Sequence, residues 1–102
     1  MRNNEKLEGL KALASPVRME MLDALKRPLD FPEQVDGDRE MDGICADFIR
    51  DRIGLSAATV SRHLTLLAGA GFLIATRHKG WTFYRRDEAA IRRFLGALAE
   101  EL

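Results

Sequence analysis

Gly54-Leu55-Ser56-Ala57-Ala58-Thr59-Val60-Ser61-Arg62-His63-Leu64 decides the fold of this chain. Glycine commonly follows a helix C-terminus and serine is a favoured N-cap, so the stretch predicts a helix stop, a tight turn and a second helix. At about 100° per residue, that helix turns Ala57, Val60, Leu64 and Leu67 toward a core. Ala58, Arg62 and Thr65 then point outward, with Thr59 and Ser61 on the shoulders. Leu66 falls outside the apolar stripe and is expected to pack under the first or third helix. Ser56 has Thr59, not glutamate, three residues on, so no capping-box acid marks the helix start.

Charge is segregated around this stretch. From Ser56 to Arg86 there is no Asp or Glu, while Arg62, Arg77, Lys79, Arg85 and Arg86 supply five positive charges. The whole chain has 16 basic and 16 acidic residues and a formal net charge of zero, so the rest carries the compensating excess of acid. Much of it lies between Arg27 and Asp47, at Asp30, Glu33, Asp36, Asp38, Glu40, Asp42 and Asp47. A cationic face opposite an acidic loop would orient the molecule on a polyanion. The small residues of the predicted helix allow close approach to a groove, its hydroxyls can bond phosphate or base, and Arg62 can reach a guanine edge. An acid at its start would repel DNA there, and none is present.

The other elements follow from periodicity and punctuation. Leu7, Leu10, Leu13 and Ala14 predict a first helix over residues 5–14. Ser15 and Pro16 start a second, running to about Lys26, with Val17, Met21, Leu22 and Leu25 buried. Pro28 and Pro32 open an acidic loop of about fifteen residues, long enough to be functional or mobile, although a solvated connector is its simplest form. A third helix is predicted from Ile44 to Ile53, with Phe48, Ile49 and Ile53 inward, and the fourth from Ser56 to about Gly69. Phe72–Arg77 and Trp81–Arg86 predict a hairpin joined by His78-Lys79-Gly80, with Arg77 and Lys79 near its tip. Trp81, Phe83 and Tyr84 suit hairpin packing better than base stacking. Asp87 caps a last helix striped with Ile91, Phe94, Leu95, Leu98 and Leu102.

Helices three and four form a helix-turn-helix, and the basic hairpin suits a wing whose tip meets phosphate or the minor groove. A chain of 102 residues suits one domain, and at that size pairing with a second copy adds burial that the monomer lacks. No apolar run approaches the roughly 18 residues of a membrane span, and no signal peptide is expected. The lone Cys45 excludes an internal disulfide and suits a reducing, cytoplasmic setting.

The chain resembles the dimeric winged-helix repressors of the ArsR/SmtB (arsenic repressor) type. The resemblance rests on Leu13-Ala14-Ser15-Pro16-Val17-Arg18-Met19-Glu20-Met21-Leu22 and Gly54-Leu55-Ser56, then Thr59 through Leu67. It continues in Ala70-Gly71-Phe72-Leu73 and Gly80-Trp81-Thr82-Phe83-Tyr84-Arg85. These blocks keep the family's order and spacing over nearly the whole chain. The resemblance implies a mostly α fold with a β-hairpin wing, in the order α-α-α-α-β-β-α. It implies one domain over residues 1–102, with 1–14 and 88–102 as dimerisation helices, and a homodimeric repressor on a pseudo-palindromic operator in double-stranded DNA. Ala58, Ser61 and Arg62 fall where the family makes base or phosphate contacts.

The expected DNA-contacting set is Ser56, Ala58, Thr59, Ser61, Arg62, Thr65, Arg77 and Lys79. The expected dimer seam is Leu7, Leu10, Ile91, Phe94, Leu95 and Leu98. Metal-sensing members of the family carry a Cys-x-Cys element at the third helix, often with another Cys one turn on. Here Cys45 is followed at those positions by Asp47 and Arg50, which do not make a soft-metal site. The family's other metal site draws on histidines of the last helix, and residues 87–102 have none. No metal, cofactor or enzymatic activity is expected, and Cys45 is expected to be a small buried apolar residue. A small-molecule effector of unknown identity remains a possible partner, with the acidic loop beside the third helix as its best place. The competing reading is a winged helix that binds protein and not DNA; its mark would be acids or large apolar residues on the outer face of helix four.

Overall fold

The computed structural model describes residues 1–102. Five helices and three strands follow in the order α1 (Asn3–Leu13), α2 (Pro16–Ala24), β1 (Ile44–Cys45), α3 (Ala46–Ile53), α4 (Ala57–Gly69), β2 (Leu73–His78), β3 (Trp81–Arg86) and α5 (Glu88–Glu101). The caps lie where the sequence puts them. Ser15 Oγ accepts from Arg18 N, Ser56 Oγ from Thr59 N, and an Asp87 carboxylate oxygen from Ala90 N. Gly54 ends α3 at φ 81° with open space around its Cβ position, so only backbone conformation requires glycine there.

The core gathers one face of each helix. Met21, Ile44, Ile49, Val60, Leu64 and Leu67 are all at most 1 % exposed. Each such side chain contributes about 1.5–3 kcal/mol of burial. Phe72 and Phe94 meet edge to face at 5.1 Å, locking α5 beneath the start of the wing. Gly9 lets α1 lie against that Phe94, since a Cβ there would fall 2.2 Å from its ring.

Two expectations are corrected. The third helix begins at Ala46, because Ile44 and Cys45 extend into a strand that pairs with β3 (Ile44 with Tyr84, Cys45 with Phe83). The wing is therefore a three-stranded antiparallel sheet in the order β1-β3-β2, and not an isolated hairpin. β3 is also buried on both faces. Tyr84 and Ile44 join the helical core, while Phe83 and Cys45 lie outside that cluster on the opposite face.

The acidic loop is what covers Phe83 and Cys45, so it is not a solvated connector. Its Gln34 amide donates to the carbonyls of Gly37 and Gly43 and accepts from Cys45 N at 2.7 Å. Arg39 Nη1 donates to the carbonyls of Leu29 and Phe31. Asp38 accepts from Glu40 N and Met41 N, and those bonds hold its carboxyl below the usual carboxylate range. At Gly37 a Cβ would fall 2.4 Å from the Phe83 ring. Residues 31–43 thus form a strap across the outer face of the sheet.

Candidate nucleic-acid interface

The turn Gly54-Leu55-Ser56 aims the start of α4 at solvent. Ser56, Ala58, Ser61, Arg62 and Thr65 are exposed on one face, and Thr59 is half-buried beside them. Ser56 and Thr59 are engaged with one another: the Ser56 hydroxyl donates to Thr59 Oγ1 at 2.9 Å while accepting from Thr59 N. Ala58, Ser61 and Thr65 make a low surface from which the longer Arg62 rises, and no acid lies on α4. Such a surface accepts polyanions and can enter a groove. Two placements differ from expectation. Ala57 is exposed, because the first turn overhangs the core, and Leu66 is 48 % exposed and not tucked under another helix.

The wing carries Arg77 and Lys79 at its tip. Arg77 is exposed and donates to Thr82 Oγ1 across the hairpin at 3.3 Å. Lys79 adopts φ 51°, the left-handed turn conformation, and its ammonium lies 3.6 Å from the Asp36 carboxylate on the strap. Arg85 is exposed on β3. Arg86 is turned the other way: it donates to the Leu22 carbonyl at 2.9 Å and pairs with Glu88, holding that carboxyl below its usual range. Its charge belongs to the base of the wing and leaves the cationic face.

Arg18 and His63, whose contact with each other the sequence does not reveal, brace α4. Arg18 at the start of α2 donates through Nε to Ala12 O at 2.6 Å and through Nη2 to Lys11 O, closing the free carbonyls at the end of α1. Its Nη1 lies 2.9 Å from His63 Nδ1. A guanidinium can only donate, so Nδ1 accepts and the imidazole is neutral. Burial, then the charges of Arg18 and Arg62, push His63 below the ordinary histidine value. One side chain therefore joins α1 to α4. The visible signal was an arginine two residues after Pro16, facing the end of the preceding helix.

On α1 and α5, Leu7, Leu10 and Leu95 are exposed, and Ile91 and Leu98 are half-buried. Phe94 is different. At 3 % exposure it is filled by contacts within its own chain, with Phe72 and Gly9, and presents almost nothing outward. Lys6 and Glu101 form an ion pair that ties the two helices at their outer ends.

Cys45 is 5 % exposed beneath the strap. Beside it opens a cavity of about 150 Å³ whose lining includes Gln34, Val35, Phe48, Trp81 and Phe83. Asp47 faces Arg50 at 3.7 Å. No helix of the chain is long and apolar enough to cross a membrane.

Comparison with known proteins agrees with this geometry. No family model matches the chain. An uncharacterized HTH-type transcriptional regulator of Bacillus subtilis strain 168, YbzH, is 34% identical over 99 residues, covering 96% of this chain and 99% of the relative. The homodimeric winged helix-turn-helix DNA-binding domain of Mb0332 from Mycobacterium bovis, described as a possible ArsR-family transcriptional regulator, superposes with a TM-score of 0.67. Its identity is 24%, over 96% of this chain and 81% of that one. An ArsR-like transcriptional regulator from Rhodococcus sp. RHA1 superposes with a TM-score of 0.70 at 20% identity, over 95% of this chain and 78% of that one. With the winged helix-turn-helix fold shared by those ArsR-type structures, and with identity to YbzH along almost its full length, the chain belongs to the HTH-type transcriptional regulators.

Proposed function

We propose that the protein is an ArsR-type, cytoplasmic repressor that binds a pseudo-palindromic operator as a homodimer. The exposed, acid-free face of α4 carries this reading, with Arg62 rising from Ala58, Ser61 and Thr65. In each half-site Arg62 reads a guanine edge, Ser61 and Thr65 bond base or phosphate, and Ala58 admits the helix to the major groove. Ser56 and Thr59 hold the helix start close to the backbone. Arg77 and Lys79 meet phosphates flanking the half-site.

Residues 1–102 act as a single domain, with residues 1–14 and 88–102 as the dimerisation helices. Leu7, Leu10 and Leu95 leave an apolar surface there that a second copy would cover, flanked by Ile91 and Leu98. Phe94 supports the seam from within by fixing α1 against α5. Occupation of a promoter by the dimer excludes polymerase. A small-molecule effector has its natural place in the cavity beside Cys45, between strap and wing.

The test is selection of bound fragments from random duplex DNA, with the mass of the complex measured in solution. A two-fold symmetric consensus with half-sites about one helical turn apart is expected, bound by two subunits. A monomer that ignores every duplex at low salt overturns the proposal. Leu66, exposed on the later half of α4, favours the second reading of a protein-binding winged helix. That reading requires the selection to return no consensus.

A further inference from the structure

The strap sets a carboxylate against the tip of the wing. Asp36 Oδ1 lies 3.6 Å from Lys79 Nζ, the two side chains being 29% and 67% exposed. The residues on either side of Asp36 are anchored independently of that contact. Gln34 bonds to Gly37, Gly43 and Cys45, and Gly37 presses on the Phe83 ring. Asp36 is therefore delivered to the wing by the fold of the strap, and Lys79 is delivered to Asp36 by its left-handed turn. The contact is selective. Of the exposed wing cations Arg77, Lys79 and Arg85, Lys79 alone faces a carboxylate; Arg77 bonds a hydroxyl, and the carboxylate partner of Arg86 lies at the wing base.

Resting on the DNA-binding role proposed for α4 and the wing, we propose that Asp36 is an intramolecular competitor of the duplex backbone. It occupies the Lys79 ammonium in the free protein and must release it before the wing tip takes a phosphate. An exposed pair of this kind is weak enough to open, and a duplex presents phosphates densely enough to open it. Two consequences follow for binding. Lys79 is already neutralised, so its docking releases fewer counterions than a free lysine would. Once released, Asp36 stands beside a phosphate row and repels it. The strap thus lowers affinity for all duplexes alike, which raises the share of binding that depends on the base contacts of α4.

The experiment measures binding of the full chain to a selected operator and to an unrelated duplex across a salt series. Asp36→Asn is expected to tighten both by roughly three- to fivefold at low salt and to steepen the log–log salt slope by up to about 0.9. Asp36→Ser should do the same, and thermal melting checks that each variant is folded. Glu40→Gln removes an equal charge from the same strap, away from Lys79, and should change affinity much less. In a Lys79→Ala background, Asp36→Asn should have a clearly smaller effect, limited to relief of its repulsion of the phosphate row. If wild type binds DNA but Asp36→Asn matches Glu40→Gln, or keeps its full effect without Lys79, the competition is refuted and the DNA-binding role stands. If neither wild type nor Asp36→Asn binds any duplex at the lowest salt, both are refuted.

Discussion

Helix α4 and the strap of residues 31–43 are stretches of equal length built on opposite principles. What marks α4 in the sequence is local: a serine cap, a helical repeat of Val60, Leu64 and Leu67, and a glycine just before the turn. Everything that shapes the strap is distant or irregular. Gln34 reaches to Cys45, Arg39 back to Leu29, and Gly37 onto Phe83, almost half the chain away. The helix exposes its function and buries its support, whereas the strap buries its function, the covering of β3, beneath a surface of acids. A repeating pattern announces an element that packs through one face. A cover held by single side-chain bonds announces nothing.

The sharpest way to break the strap without touching α4 is Gly43→Ala. Gly43 has φ 106°, and a Cβ would fall 2.3 Å from the Tyr84 carbonyl oxygen. Backbone strain and overlap together are expected to cost about 3 kcal/mol or more, read as a large fall in thermal midpoint. An unchanged midpoint would mean that the strap does not seat on β3.

The converse variant, Arg62→Ala, should leave stability within about 0.5 kcal/mol while weakening operator binding by about 1–3 kcal/mol and relaxing preference at one base per half-site. Equal losses on operator and random DNA would move Arg62 from base reading to phosphate contact. Lys79→Ala should behave in that second way, weakening all duplexes to a similar extent and lowering the salt slope by no more than about 0.9.

The brace beneath α4 titrates. The folded chain holds His63 below the usual value of 6.5, so the unfolded chain binds a proton that the folded chain refuses. Stability should therefore decline as pH falls from about 6.5 and level off below the folded value, and His63→Gln should flatten that decline in melts between neutrality and mild acid. Smallest of all, Cys45→Ser should preserve operator binding and leave its response to oxidant unchanged, because the thiol is shielded by the strap. A response that disappeared with the sulfur would make Cys45 a sensor.

The contrast also explains how far the residues could be read in advance. Helix order, caps, hairpin and the outward face of α4 followed from spacing and punctuation. The start of α3 is not legible in the sequence, because Ile44 and Cys45 continue an apolar pattern that suits helix and strand equally; only pairing with Tyr84 and Phe83 decides for strand. The exposure of Leu66 is not legible in the sequence, because projection alone does not show whether a neighbouring helix reaches it. Phe94 lies on the apolar stripe of α5 like Leu95, and a stripe does not separate side chains that fill the protomer from those that face outward. Nothing in the sequence separates Arg86 from the outward cations of residues 56–86, because a charge in sequence carries no direction and its carbonyl partner Leu22 lies 64 residues away.

Arg86 also divides the wing mechanically. Clamped between a backbone carbonyl of α2 and the first turn of α5, it pins the sheet where β3 enters the helical body. The far end meets the strap only through the weaker, exposed Lys79–Asp36 pair, and its turn of Lys79 and Gly80 is open to solvent. In the proposed complex, bending strain imposed by a duplex would be absorbed at the tip and not passed through the root, so that the hairpin would follow grooves of different width while α4 keeps its register.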